Sequence, residues 1–192
     1  MGDKPVLKRF LLVLTAFIVI PAGIIAAIAA TRPDTFRVER SLAIKAAPEQ
    51  IYPQIESLRG FASWSPYEKK DPQMKRTFSG PESGKGAVYA WNGNGDVGEG
   101  RLEVTNASAP SAVTMELAFV RPFEARNTVE FTLAPQGEET VVTWAMHGSM
   151  PFLSRMMCVV FDMDEMVGSD FAVGLANLKE QVEGRVAAYG QR

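Results

Sequence analysis

Residues 87–105 read Ala87-Val88-Tyr89-Ala90-Trp91-Asn92-Gly93-Asn94-Gly95-Asp96-Val97-Gly98-Glu99-Gly100-Arg101-Leu102-Glu103-Val104-Thr105, and their period of two decides the fold class. Tyr89 and Trp91 share one face of the first run. Leu102 and Val104 share a face of the second, while Glu99, Arg101 and Glu103 occupy the opposite face. Between the runs, Asn92-Gly93-Asn94-Gly95 supplies residues that tolerate positive φ, so the pair predicts two half-buried strands joined by a tight reversal. Gly98 and Gly100 also share a face, where missing side chains permit a bend or a close neighbour.

The same pattern extends in both directions. Strands are predicted over Met74–Phe78, Ala112–Val120, Ala125–Leu133 and Thr140–His147, punctuated by Gly80-Pro81, Ala109-Pro110-Ser111, Arg121-Pro122 and Gln136-Gly137-Glu138. Six strands in series imply a meander. Upstream, Phe36, Val38, Leu42 and Ile44 alternate with Arg37, Glu39, Ser41 and Lys45, giving one more strand, with Arg40 as the polar exception on its apolar face. Pro48-Glu49-Gln50 then opens a short helix limited by Pro53, and Gly60 to Tyr67 forms a second brief helical or turn segment. The chain finishes with a helical tract from Pro151-Phe152 to about Val186. In it Met163, Val167, Phe171, Gly174, Leu175, Leu178 and Val182 recur at steps of three and four. Gly168-Ser169-Asp170 is a point where that helix could be interrupted or recapped. The expected class is α+β: a curved antiparallel sheet of about seven strands around a long C-terminal helix.

The N-terminus adds a different element. Phe10 to Thr31 carries no charge over 22 residues, enough for a helix to cover a hydrocarbon core of roughly 30 Å. Lys4, Lys8 and Arg9 precede it, so residues 1–9 are expected in the cytoplasm, residues 10–31 in the inner or plasma membrane as a single pass, and the domain at 35–187 outside the cytoplasm. The competing reading is a cleaved signal, because Ala27-Ile28-Ala29 has the small-x-small pattern, which would leave a secreted or periplasmic protein.

Composition narrows the function classes. The chain has 20 basic and 22 acidic side chains; without Asp3, Lys4, Lys8 and Arg9 the balance is 17 against 21. With no basic stripe to neutralise phosphates, nucleic acid is not an expected partner. Cys158 is the only cysteine; it sits in an apolar run, is expected to be buried, and permits no intrachain disulfide. Neither a metal site nor a cofactor site is expected, since one histidine and one cysteine offer no ligand cluster. That histidine, His147, has the strand parity opposite to Trp144 and Met146 and is expected to point outward.

Strand and helix parity also names the side chains that would face the space between sheet and helix. They are Trp64, Tyr89, Trp91, Met115, Leu117, Phe119, Phe131, Trp144 and Met146, with Met163, Val167 and Phe171 from the last helix. Phe152, with Met156, Met157 and Phe161, supplies a lid or entrance. Such residues ordinarily fill a core. The share of aromatic and methionine side chains equally suits a pocket for a small hydrophobic ligand.

Several of these motifs resemble the SRPBCC superfamily, the START-like or polyketide cyclase/dehydrase and lipid transport group. They are Ala47-Pro48-Glu49-Gln50-Ile51-Tyr52, Trp64-Ser65-Pro66-Tyr67, Phe78-Ser79-Gly80-Pro81, Gly84-Lys85-Gly86-Ala87-Val88-Tyr89-Ala90-Trp91, Gly98-Glu99-Gly100, and Asp170-Phe171 with Gly174-Leu175-Ala176-Asn177-Leu178-Lys179. The resemblance implies a helix-grip fold with a deep apolar cavity and members that bind lipids, sterols, polyketides, quinones or plant hormones. It carries no family-wide catalytic set, so fold does not specify reaction. The expected function is therefore membrane-anchored binding of a lipid, quinone or polyketide-like ligand, without established catalysis. One alternative is a partner-binding or stress-response module whose cavity is filled by its own side chains. The other is a cyclase- or dehydrase-like enzyme using Tyr89 or Arg40 to polarise a carbonyl.

Overall fold

A computed structural model describes residues 4–190. Positions 1–3 and 191–192 lie outside the described residues, so the expected cytoplasmic segment 1–9 falls partly outside them. The elements, in order, are α1 (Lys4–Thr31), β1 (Thr35–Ile44), α2 (Pro48–Glu56), α3 (Leu58–Trp64), α4 (Tyr67–Lys70), β2 (Lys75–Ser79), β3 (Val88–Asn92), β4 (Glu99–Ser108), β5 (Ala112–Arg121), β6 (Ala125–Gln136), β7 (Glu139–Ser149), α5 (Phe152–Val160) and α6 (Met163–Gly190). They fall into two units: α1 through Thr35 with Met150–Met163, and Phe36–Ser149 with the chain from Asp164 onward.

In the first unit, α1 holds an 18-residue apolar window, Leu14–Thr31, with a mean hydropathy of 2.3. Its packing partner is α5. The expected helical tract beginning at Phe152 is thus two helices, broken at Phe161-Asp162. Cys158 is half-buried rather than fully enclosed.

The second unit is built on a seven-stranded sheet of order β1-β7-β6-β5-β4-β3-β2. The meander from β2 to β7 pairs antiparallel throughout. In β4, register shifts at Glu99/Gly100 and Val104/Asn106 accommodate irregular pairing with β5. β1 joins the sheet beside β7, where the Ser41 and Thr143 hydroxyls meet at 2.7 Å.

One face of this sheet is covered because its alternating side chains are too apolar to leave in water. From α6, Phe171, Leu175, Leu178 and Val182 are buried in the same hydrophobic core as Val104, Met115, Phe131 and Trp144. The helix pair α2 and α3 turns a corner at Ser57, whose hydroxyl accepts from Gly60 N. Trp64 Nε1 donates to Gln54 O at 2.9 Å, bracing that corner. Asn177 Nδ2 donates to Trp64 O at 3.0 Å and ties α6 to it.

Near its N-terminus α6 is held by β1. Arg40 donates to both carboxylate oxygens of Asp164, at 3.1 and 2.9 Å, and to its backbone carbonyl at 3.0 Å. The guanidinium holds the Asp164 carboxyl below its ordinary pKa, chiefly through the hydrogen bond. Gly168 does not interrupt α6. It clears the helix surface for Arg40, whose Nη2 would lie 2.0 Å from an added Cβ.

Two stability outcomes follow, both readable by urea titration of the full chain in mild detergent. Leu178 is fully buried, so Leu178→Ala is expected to cost about 2–5 kcal/mol. Gly168→Ala gains up to about 1 kcal/mol of helix propensity but displaces the Arg40 guanidinium. It is therefore expected to stabilise the Arg40→Ala background and to lose that gain when Arg40 is present.

Candidate functional site

The inner face of the sheet is assembled by register. Tyr89 lies opposite Leu102, Leu102 opposite Leu117, Val104 opposite Met115, Met115 opposite Val129, and Phe131 opposite Trp144. The strand residues of the sequence-predicted ligand set therefore share the sheet's inner face, while Trp64 belongs to α3 and Val167 and Phe171 to α6. They divide into two aromatic groups.

The first group is closed. The Trp144 indole stacks on Phe171 with centroids 4.1 Å apart and an interplanar angle of 11°. Trp64 meets Trp144 edge-on at 5.5 Å, and Phe131 lies 5.1 Å away. These contacts fall within the range in which aromatic pairs attract beyond their buried area. Gly174 permits the arrangement, since an added Cβ would come within 2.6 Å of Trp144 Cζ3. Phe61 completes the cluster, 5.8 Å from Trp144; it was not among the expected site residues, although its place in the segment Gly60 to Tyr67 was legible. One polar atom of this cluster is left over: Trp144 Nε1, in a side chain only 2% exposed, has no hydrogen-bond partner among the described residues. A buried donor without an acceptor is costly.

The second group is more open. Tyr89 lies between Phe78, stacked at 4.9 Å, and Trp91 at 5.7 Å, and Trp91 meets Phe119 edge-on at 5.8 Å. Gly100 gives the Trp91 ring its place, because an added Cβ would stand 2.8 Å from Trp91 Cζ2. Burial falls along the strands in one direction. Val113 and Met115 are fully enclosed, whereas Leu117 and Phe119 further along β5 are half-buried; Tyr89 is buried and Trp91 is half-buried. On α6, Phe171 is buried and Val167 half-buried. The inner face thus passes from a packed end around Trp144 to a looser apolar end at Trp91, Leu117, Phe119 and Val167. Met146 is buried. Phe152, which is exposed, and Met163 belong to the first unit.

Tyr89, Glu68 and Arg40, bordering this face, are already engaged. Tyr89 Oη donates to Glu68, which also accepts from Arg76 Nε at 2.6 Å. Burial, followed by the Glu68 contact, pushes the Tyr89 hydroxyl above its ordinary pKa. Burial and the neighbouring Asp170 carboxylate do the same to Tyr67. Neither phenol is primed to lose a proton near neutral pH. Arg40 is committed to Asp164. His147 sits at the outer face, 3.5 Å from Glu130. Among the described residues, no group of three or more His, Cys, Asp or Glu side chains is placed to share a metal ion.

A separate recess of about 360 Å³ lies where α3 meets the β2–β3 region, lined by Leu58, Arg59, Phe78, Gly80, Glu82, Val88 and their neighbours. Arg59 Cζ lies over the Phe78 ring at 4.4 Å. None of the sequence-predicted ligand residues lines this recess. It was missed because Arg59 and Phe78 are distant in sequence and meet only through the fold.

The comparisons with known proteins agree with this architecture. No curated protein matches the chain. Among solved structures it is similar to a truncated norcoclaurine synthase from Thalictrum flavum (TM-score 0.58, 12% identity, covering 77% of this chain and 93% of that one). It is also similar to TTHA0849 from Thermus thermophilus (TM-score 0.57, 15% identity, 78% and 99% covered). A third likeness is to the Aha1 dimer from Colwellia psychrerythraea (TM-score 0.53, 22% identity, 77% and 96% covered). At these identities the likeness establishes the fold, a seven-stranded helix-grip sheet around a long C-terminal helix. The family model described as polyketide cyclase/dehydrase and lipid transport matches residues 35–183, and the chain belongs to that family.

Proposed function

We propose that the inner face of the sheet takes up a small hydrophobic ligand of the lipid, quinone or polyketide-like class, and that α1 anchors the protein in a membrane. The ligand is bound rather than transformed. The observation that carries this reading is the burial gradient on the inner face, which leaves Trp91, Leu117, Phe119 and Val167 partly exposed on an otherwise enclosed apolar surface. Family membership supports the same ligand class. Covering about 300 Å² of apolar ligand surface at roughly 25 cal/mol per Å² would provide several kcal/mol before entropic costs, so affinity needs no catalytic group. The engagement of Tyr89, Arg40 and Glu68 with protein partners supports binding over carbonyl chemistry.

A second reading has one specific observation in its favour. The packed rings of Trp64, Phe131, Trp144 and Phe171 fill much of the inner face, as in a partner-binding module that keeps its core to itself. The two readings separate on titration of the delipidated full chain, held in amphipol, with a panel of phospholipids, fatty acids and quinones. Ligand binding is expected to quench tryptophan fluorescence and raise the thermal midpoint. Leu117→Arg, at a half-buried position, is expected to weaken that binding roughly tenfold or more, about 1.4 kcal/mol, with the fold retained by circular dichroism. No response across the panel, or an affinity indifferent to Leu117→Arg, overturns the proposed site and favours the filled-core module.

A further inference from the structure

We infer that α5 is a second membrane element, lying in the surface of the same bilayer that α1 enters. This inference rests on the reading of α1 as a membrane anchor.

The sequence of α5 and its adjoining residue, Phe152-Leu153-Ser154-Arg155-Met156-Met157-Cys158-Val159-Val160-Phe161, contains no carboxylate and a single charge. On a helix of 3.6 residues per turn, Leu153, Met157 and Val160 fall on one side beside Ser154, and Phe152 stands exposed at the helix's N-terminal end. That side is open: Leu153 is 66% exposed, Val160 63% and Phe161 58%, with Phe152 and Met157 also exposed. Five large apolar side chains in ten residues make a patch that water would not ordinarily be left to cover.

The occupant of this patch follows from what α5 is fastened to. Its other side, with Arg155, Met156, Cys158 and Val159 half-buried, is the more enclosed one, and α5 packs with α1 inside the first unit. On α1, Ala29 is fully buried and Ile25 and Ala26 partly so, while Phe17, Ile18, Val19, Ile20 and Ile24 are exposed. The joint is reciprocal. Arg32 Nη1 donates to the Cys158 carbonyl at 2.6 Å, and Arg155 Nη1 donates to the Arg32 carbonyl at 3.1 Å. Met150 N donates to Asp34 O at 2.6 Å. Arg32 directly follows the apolar window Leu14–Thr31, so its guanidinium marks the level at which the span leaves hydrocarbon. Clamping the last turn of α5 to that residue puts the helix at the bilayer boundary. The exposed apolar side of α5 therefore continues the lipid-facing surface of α1.

Length decides the orientation. Nine residues at about 1.5 Å each are too few to cross a core of roughly 30 Å. An amphipathic helix of this size lies in the interface with its apolar side among the upper acyl chains, and the long Arg155 and Arg32 side chains suit the headgroup level.

The experiment exploits the lone cysteine. In full-length Cys158→Ala, which keeps the backbone carbonyl used by Arg32, single cysteines are introduced as Leu153→Cys, Val160→Cys or, as an anchor reporter, Ile20→Cys. Each is labelled with an environment-sensitive fluorophore and reconstituted in phosphatidylcholine vesicles with and without spin-labelled lipids, the label high on the acyl chain for positions 153 and 160 and near the chain's methyl end for the mid-span position 20. Labels at 153 and 160 are expected to be quenched at least ~twofold by the spin-labelled lipid and shielded from aqueous iodide, alongside quenching at position 20. If position 20 is quenched while 153 and 160 respond only to iodide, the inference is overturned and the anchor reading survives. If no position is quenched by lipid, both fall together.

Discussion

The indole of Trp144 laid flat on Phe171 is the contact on which the second unit turns. Phe171 belongs to α6 and Trp144 to β7, so the stack sets the distance at which the long helix meets the sheet. Gly174 makes that distance possible one helical turn away, by leaving no Cβ where the ring must go. Trp64 and Phe61 then close on the same indole from α3, and Asn177 returns a hydrogen bond from α6 to the Trp64 carbonyl. Helix, sheet and the α2–α3 corner share one aromatic nucleus, and a change in any of them is felt by the other two.

Packing this tight at one end has a consequence at the other. Closure around Trp144 gathers the most enclosed rings, and toward Trp91, Leu117 and Phe119 burial is incomplete. The polar residues bordering this face are held by partners within the protein: Tyr89 by Glu68, Glu68 by Arg76, and Arg40 by Asp164. Such pairs fix geometry and leave little free acid or base. Among the described residues the exceptions include two buried core groups, Trp144 Nε1 and Tyr52 Oη, neither of which has a hydrogen-bond partner.

The first unit uses apolar surface differently. In the second unit, alternating side chains find partners across the sheet and along α6. In α1 and α5, large apolar side chains remain on the outside while small ones such as Ala29 fill the contact between the helices. Arginines bonded to backbone carbonyls then hold the ends of the two helices in register. Exposed hydrophobics around a polar joint are the reverse of a water-facing pair, and this inversion is the ground for the proposed lipid surrounding.

Local periodicity was enough to read the strands from β2 to β7, because a half-buried strand writes its two faces into alternate residues and each reversal carries its own Gly, Pro or Asn. The apolar stripe of α6, the apolar run of α1 and the shared face of Tyr89, Trp91, Phe131 and Trp144 were legible for the same reason. The pairing of β1 with β7 was not, since it joins residues about a hundred positions apart that carry no mutual signal. Nor was the role of Gly168, which resembles a helix breaker until Arg40 is seen lying across it. Composition likewise could not separate the closed group around Trp144 from the looser one around Trp91, because both are aromatic and both alternate. Alternation and helical spacing mark the apolar side chains and their period along each element. Which of them meet, and how deeply each is buried, is set by how distant segments pack, since neither contact distance nor burial is a property of a local stretch.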